Sequence, residues 1–200
     1  MFFRYYIHLH ILRLQPPMKF GIIRALALLV FFVTLSAADA TNSFGQARPS
    51  SKSNVISIDP LSFFANEPAT LQYEIKAGPV NSWAFRLHYW TGLTGGSETW
   101  SGFGVGGAYR FYIADSRALT GLSVEPAASL MLFSGTIAAG TGHKAVALLI
   151  GGDIEYKWIF DQFSIEPIVG LRIGYTPSNP APQNATGFIA IIGIGAGYAF

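Results

Sequence analysis

The chain has 200 residues, of which 50% are hydrophobic and 14% aromatic but only 12% charged, whereas about a quarter of the residues of a soluble protein are charged. It contains no cysteine, which excludes disulfides, thiolate metal ligands and cysteine nucleophiles. Four of its thirteen basic residues (Arg4, Arg13, Lys19, Arg24) precede residue 41, and beyond residue 40 nine basic groups face ten acidic ones, a balance with no footprint for nucleic acid.

The length and the absence of a repeat period give one domain after the N-terminal segments. Met1 to Pro17 fits no targeting pattern and is followed at once by Met18, which is expected to be the true start, so His8 and His10 are not read as a metal pair. From Met18 the pattern is that of a secretory signal. Lys19 and Arg24 supply the positive region, Ala25 to Leu35 the apolar run, and Ala38-Asp39-Ala40 the small-residue cleavage site, with cleavage expected after Ala40. A membrane anchor would need about twenty apolar residues, roughly twice the uninterrupted run here. Residues 41–53, rich in Ser, Asn and Gln, are expected to form a mobile leader, and 54–200 the folded domain.

After Ser53 the hydrophobic pattern has period two, the mark of strands with two different faces. Eight segments carry it: Asn54 to Leu61, Thr70 to Lys76, Trp83 to Trp90, Phe103 to Ile113, Gly121 to Phe133, Lys144 to Trp158, Phe163 to Tyr175 and Gly187 to Phe200. In the seventh, Phe163, Ile165, Pro167, Val169, Leu171, Ile173 and Tyr175 share one face, while Ser164, Glu166, Ile168, Gly170, Arg172 and Gly174 share the other. The second, fourth and sixth connections are compact, and the odd-numbered ones are generally longer and richer in Gly, Pro, Ser, Thr or Asn. That alternation fits short periplasmic turns and longer external loops. The pattern predicts an all-β fold, an eight-stranded antiparallel up-and-down transmembrane β-barrel. Open sheet edges cannot cross hydrocarbon, so the eighth strand must pair with the first. Pro60, Pro126 and Pro167 each remove a ladder donor and are expected near strand ends or bulges. Trp83, Tyr89, Tyr109, Tyr156, Trp158, Tyr175 and Tyr198 are expected to form interface girdles.

The chain ends Gly-Ala-Gly-Tyr-Ala-Phe, with Tyr198 and Phe200 in the outward register. This resembles the C-terminal signature of bacterial outer-membrane proteins, which implies recognition by the barrel-assembly machinery. The segment Asn54-Val-Ile56-Ser57-Ile-Asp59-Pro60-Leu61, followed by a strand with Tyr73-Glu74, resembles the first hairpin of a family of uncharacterised small outer-membrane barrels. The whole mature chain is more loosely similar to the OmpA-type and OmpX-type barrels. The resemblance implies an outer-membrane location in a Gram-negative-type bacterium with both termini periplasmic, and it brings no catalytic residues.

The inward register collects Asp59, Glu74, Glu125, Asp153, Glu155 and Glu166 with Lys76, Arg86, Arg110, Lys157, Arg172 and His88. In a lumen of eight strands, just wide enough to be filled by side chains, these are expected to pair as a charge network. Glycines 170, 174, 193, 195 and 197 on the inner face of the last two strands support crowding. The role expected is structural or interactive at the cell surface, with outer-membrane lipid and lipopolysaccharide as neighbours, no metal, no cofactor and no catalysis. A lipid A or phospholipid-modifying enzyme is the alternative and a narrow pore the third. Outer-membrane lipid A deacylases use Ser and His on the lipid-facing wall, but His88 falls on the inner face here, no His-x-Ser sequence occurs, and His143 is placed in a solvated loop. The glycine run Gly102 to Gly107 reads as a small-residue strand, because no helix pattern follows it.

Overall fold

The computed structural model describes residues 52–59, 68–95, 98–113, 116–136, 142–178, 181–182 and 185–200. The expected signal segment, most of the leader, Pro60 and Leu61 lie outside the described residues. Eight strands follow one another: β1 (Asn54–Ile58), β2 (Ala69–Lys76), β3 (Asn81–Gly95), β4 (Glu98–Tyr112), β5 (Gly121–Thr136), β6 (Gly142–Phe160), β7 (Phe163–Tyr175) and β8 (Gly187–Ala199). Each is antiparallel to its neighbour in sequence. The sheet closes where β1 meets β8, from Val55↔Ala199 to Ile58↔Ala196. Strand number, order and closure are those predicted by the period-two pattern.

Side chains alternate inward and outward along each strand because successive Cβ atoms point to opposite faces. On β7 the alternation follows the expected register, with Ser164, Glu166, Gly170, Arg172 and Gly174 buried between exposed Phe163, Val169, Leu171, Ile173 and Tyr175. Asp161 and Gln162 alone join β6 to β7, and Asp161 takes a positive φ of 58°, a conformation Asp tolerates in two-residue hairpins. Between β4 and β5, Leu119 also has a positive φ, 75°, and is fully buried against Val55 and Ala199 at that end of the barrel.

Three expectations are corrected. Segment 91–102, read as a loop, is largely strand: β3 runs to Gly95 and β4 begins at Glu98, leaving two residues between them. His143, placed in a loop, lies in β6 opposite Gly135. At this end β3 to β6 extend past their neighbours, since pairing with β2 stops at Ala69↔Tyr89 and pairing with β7 at Leu148↔Tyr175. The extensions are rich in Gly, Ser and Thr and lack the two-faced pattern by which the other strand segments were recognised. The register shift lies here, between Trp90 and Leu93 on β3.

The third correction concerns proline. Pro126 and Pro167 sit within β5 and β7 and make no bulge. Pairing of β4 with β5 passes from Ala108↔Ala127 to Phe111↔Val124, and that of β6 with β7 from Glu155↔Ile168 to Trp158↔Ile165, each resuming unshifted after a gap of two pairs. Each gap covers a proline, which has no N–H to donate to the ladder.

Candidate functional site in the barrel interior

Strand register sets the charged side chains facing one another across the lumen. Glu125 lies opposite Asp153, and Gln72 opposite Arg86. Arg110 of β4 is the hub. Its guanidinium meets Glu74 of β2 at 2.8 Å, Glu125 of β5 at 2.9 Å, Glu155 of β6 at 2.5 Å and Glu166 of β7 at 3.2 Å, and it is fully buried. Arg86 of β3 reaches Asp153 at 3.1 Å and Glu155 at 3.2 Å and also pairs with Glu125. Lys157 pairs with Glu166 at 2.6 Å and with Glu74, and Arg172 with Asp153 at 2.5 Å. Carboxylates on four strands thus converge on cations from β3, β4, β6 and β7.

Neutral groups complete the layer. Gln72 accepts from Arg86 Nε at 2.8 Å and donates to Glu166 at 3.2 Å, while the Tyr112 hydroxyl donates to Glu74 at 2.6 Å and Ser82 donates to the same carboxylate. Charges this deep persist only when paired and hydrogen-bonded. Glu125, Asp153 and Glu155 bring carboxylate oxygens within 4.8 Å of one another, a spacing open in principle to a metal. Arg86 contacts all three, so a guanidinium already serves that cluster.

Apolar layers flank the ionic one. Toward the β3–β4 and β5–β6 hairpins, Trp90, Trp100, Met131, Phe133 and Leu149 pack into one buried cluster, with Trp90 and Phe133 ring centroids 5.7 Å apart. At the opposite end Val55, Leu119 and Ala199 form a smaller one. Between the ionic layer and the larger cluster His88 hydrogen-bonds Thr70 and Ser129, each at 3.0 Å, beside a cavity of about 60 Å3.

Of the residues singled out in the sequence, the ion-paired set brings together Glu74, Arg86, Arg110, Glu125, Asp153, Glu155, Lys157, Glu166 and Arg172. His88 bonds to hydroxyls instead of carboxylates. Asp59 is half-buried, its carboxylate where a Cβ on Gly193 would stand. Lys76 is a correction: as the last residue of β2 it is exposed and meets no carboxylate among the described residues. Its parity is inward, but it lies at the rim, where water replaces the lumen. Parity alone also identifies Gln72, Ser82 and Tyr112 as inward, and the charge-based reading passed over them as partners. The rings of Tyr198 and Phe200 face outward with centroids 6.1 Å apart, and the Phe200 backbone pairs with Asn54.

On the outside, the exposed charged residues of the described chain are Lys76, Arg117, Lys144 and Asp161, all at strand ends or in turns. Aromatic pairs gather toward the β2–β3 and β6–β7 turns: Trp83 and Tyr109 at 4.5 Å, Tyr109 and Phe111 at 4.8 Å, Tyr156 and Trp158 at 4.6 Å. No family model matches the chain, and no curated protein does. Among solved structures it is similar to Neisserial surface protein A, at 10% identity and a TM-score of 0.45, over 74% of this chain and 93% of that one.

Proposed function

We propose that the chain is an exported, integral outer-membrane barrel of a Gram-negative-type bacterium, with a structural or surface-interaction role and a lumen closed by its ionic and apolar layers. The observation that carries this reading is the inverted surface. Large apolar side chains such as Phe85, Leu87, Val105, Ile150, Ile154, Leu171 and Ile173 are exposed, while nine charged side chains pair inside. Water would oppose that arrangement, and hydrocarbon would favour it.

The dimensions agree. From Val146 to Trp158, β6 advances about 40 Å at ~3.3 Å per residue. At a tilt of ~45° that is ~28 Å across the membrane, close to the ~25 Å apolar band of outer-membrane barrels. In this reading the segment to Ala40 is removed on export, both termini are periplasmic, and Tyr198 and Phe200 present the C-terminal signal to the assembly machinery. Lipid and lipopolysaccharide surround the wall. The role requires no cofactor and no catalysis.

The test is extraction. The folded protein should leave membranes only with detergent and should migrate differently on gels before and after heating. A processed chain that stays dissolved and monodisperse without lipid or surfactant would overturn the reading.

A further inference from the structure

Thr70 and His88 are register partners on β2 and β3, and Ser129 of β5 reaches the same imidazole across β4. The direction of this chain of hydrogen bonds is set at its far end. Thr70 Oγ1 donates to the Pro68 carbonyl at 3.1 Å, and a carbonyl can only accept. The Thr70 oxygen therefore accepts from Nδ1–H of His88 at 3.0 Å, which leaves Nε2 with its lone pair free to accept the Ser129 hydroxyl proton at 3.0 Å. A hydroxyl hydrogen-bonded to an imidazole nitrogen, whose other nitrogen is held by a third group, has the connectivity of a nucleophile and its proton acceptor.

Two further observations place this group beside usable space. Gly106 lies opposite Ser129, and a Cβ there would collide with the serine Oγ and stand 2.9 Å from His88 Nε2, so a larger residue would have to displace the pair. Ser129, His88 and Thr70 line the cavity of about 60 Å3 together with Arg172, whose buried Nη1 has no hydrogen-bond partner among the described residues. That volume holds about four waters or one group of acetyl size. The free guanidinium nitrogen is a donor for an oxygen that gains negative charge.

We propose that Ser129 is a nucleophile, activated by His88 and oriented through Thr70, that takes up a compact acyl-type electrophile from this cavity. Ser129 Oγ attacks the electrophilic centre, the new bond from oxygen to that centre forms, and the bond to the leaving group breaks with its electron pair. The hydroxyl proton passes to His88 Nε2 and then to the leaving group, and Arg172 faces the oxygen that carries charge in between. This covalent reactivity goes beyond the structural role proposed above, which would stand without it.

The probe is methanesulfonyl fluoride, small enough for the cavity, added to the folded full-length protein in detergent micelles and followed by intact mass and peptide mapping. One methylsulfonyl group per chain is expected, on the peptide containing Ser129, with fluoride released. His88→Gln should slow the labelling about a hundredfold or more, the scale of a lost general base. Thr70→Val, which keeps the imidazole but frees its Nδ1, should slow it less, by about tenfold, with label still on Ser129. Ser129→Ala should take up none. The proposal is overturned if wild-type protein with heat-modifiable migration labels Ser129 no faster than its other serines, or if folded His88→Gln labels at the wild-type rate.

Discussion

Asp153 and Gly170 stand directly opposite one another on β6 and β7, and a Cβ added at Gly170 would collide with the Asp153 carboxylate. The glycine is therefore a condition of the ionic layer, since Asp153 is held there by Arg86 and Arg172. Gly170→Ala should push the carboxylate out of reach of one guanidinium and cost about 2–4 kcal/mol through a broken buried pair and local overpacking. Denaturant unfolding in micelles, read as a lowered midpoint, checks it; an unchanged midpoint would show that the wall yields easily.

Arg110 gives the larger effect. Its four carboxylates come from β2, β5, β6 and β7. Arg110→Met fills much of the volume but leaves those acids short of a cation, and a destabilisation of about 3–5 kcal/mol is expected. Arg110→Lys restores one charge without the planar fork and should fall between wild type and methionine. Pairing Arg110→Met with Glu125→Gln should cost less than the sum of the two single changes, because both remove the same interaction. Strict additivity in that cycle would mean that the pair contributes nothing.

Two lysines of the same inward parity separate what the sequence reveals from what it conceals. Lys157 is fully buried and bonded to Glu74 and Glu166, whereas Lys76 is exposed at the rim. Lys157→Met should lower the unfolding midpoint severely and Lys76→Met should leave it unchanged, as measured side by side in one detergent. Alternation fixes which face a residue occupies, and so it predicted eight strands, and all nine ion-paired residues lie on the face it assigned; closure followed from the bar on open edges in hydrocarbon. Alternation carries no information on height along the barrel axis, which is why it placed Lys76 with Lys157. It is also silent where a strand leaves the two-faced segment. The extensions of β3 to β6 were read as loops for that reason, and Trp100 within them went unrecognised as part of the interior.

The four tryptophans report on both faces at once. Trp83 points outward and is 50% exposed, and Trp158 shares the outer wall with Tyr156, whereas Trp90 and Trp100 are buried inside at 3% and 1% exposure. In a bilayer of brominated lipids, quenchers within contact range should extinguish Trp83 and Trp158 and leave the interior pair bright, so about half of the total tryptophan emission should be lost. Single-tryptophan variants assign the contributions: one retaining Trp83 should be strongly quenched, one retaining Trp100 hardly at all. Aqueous iodide should reach none of the four efficiently, because the outer pair would lie in lipid and the inner pair under packed side chains. Iodide quenching of Trp83 to the level of a free indole would mean that the wall faces water, and the inverted surface would then need another partner than lipid.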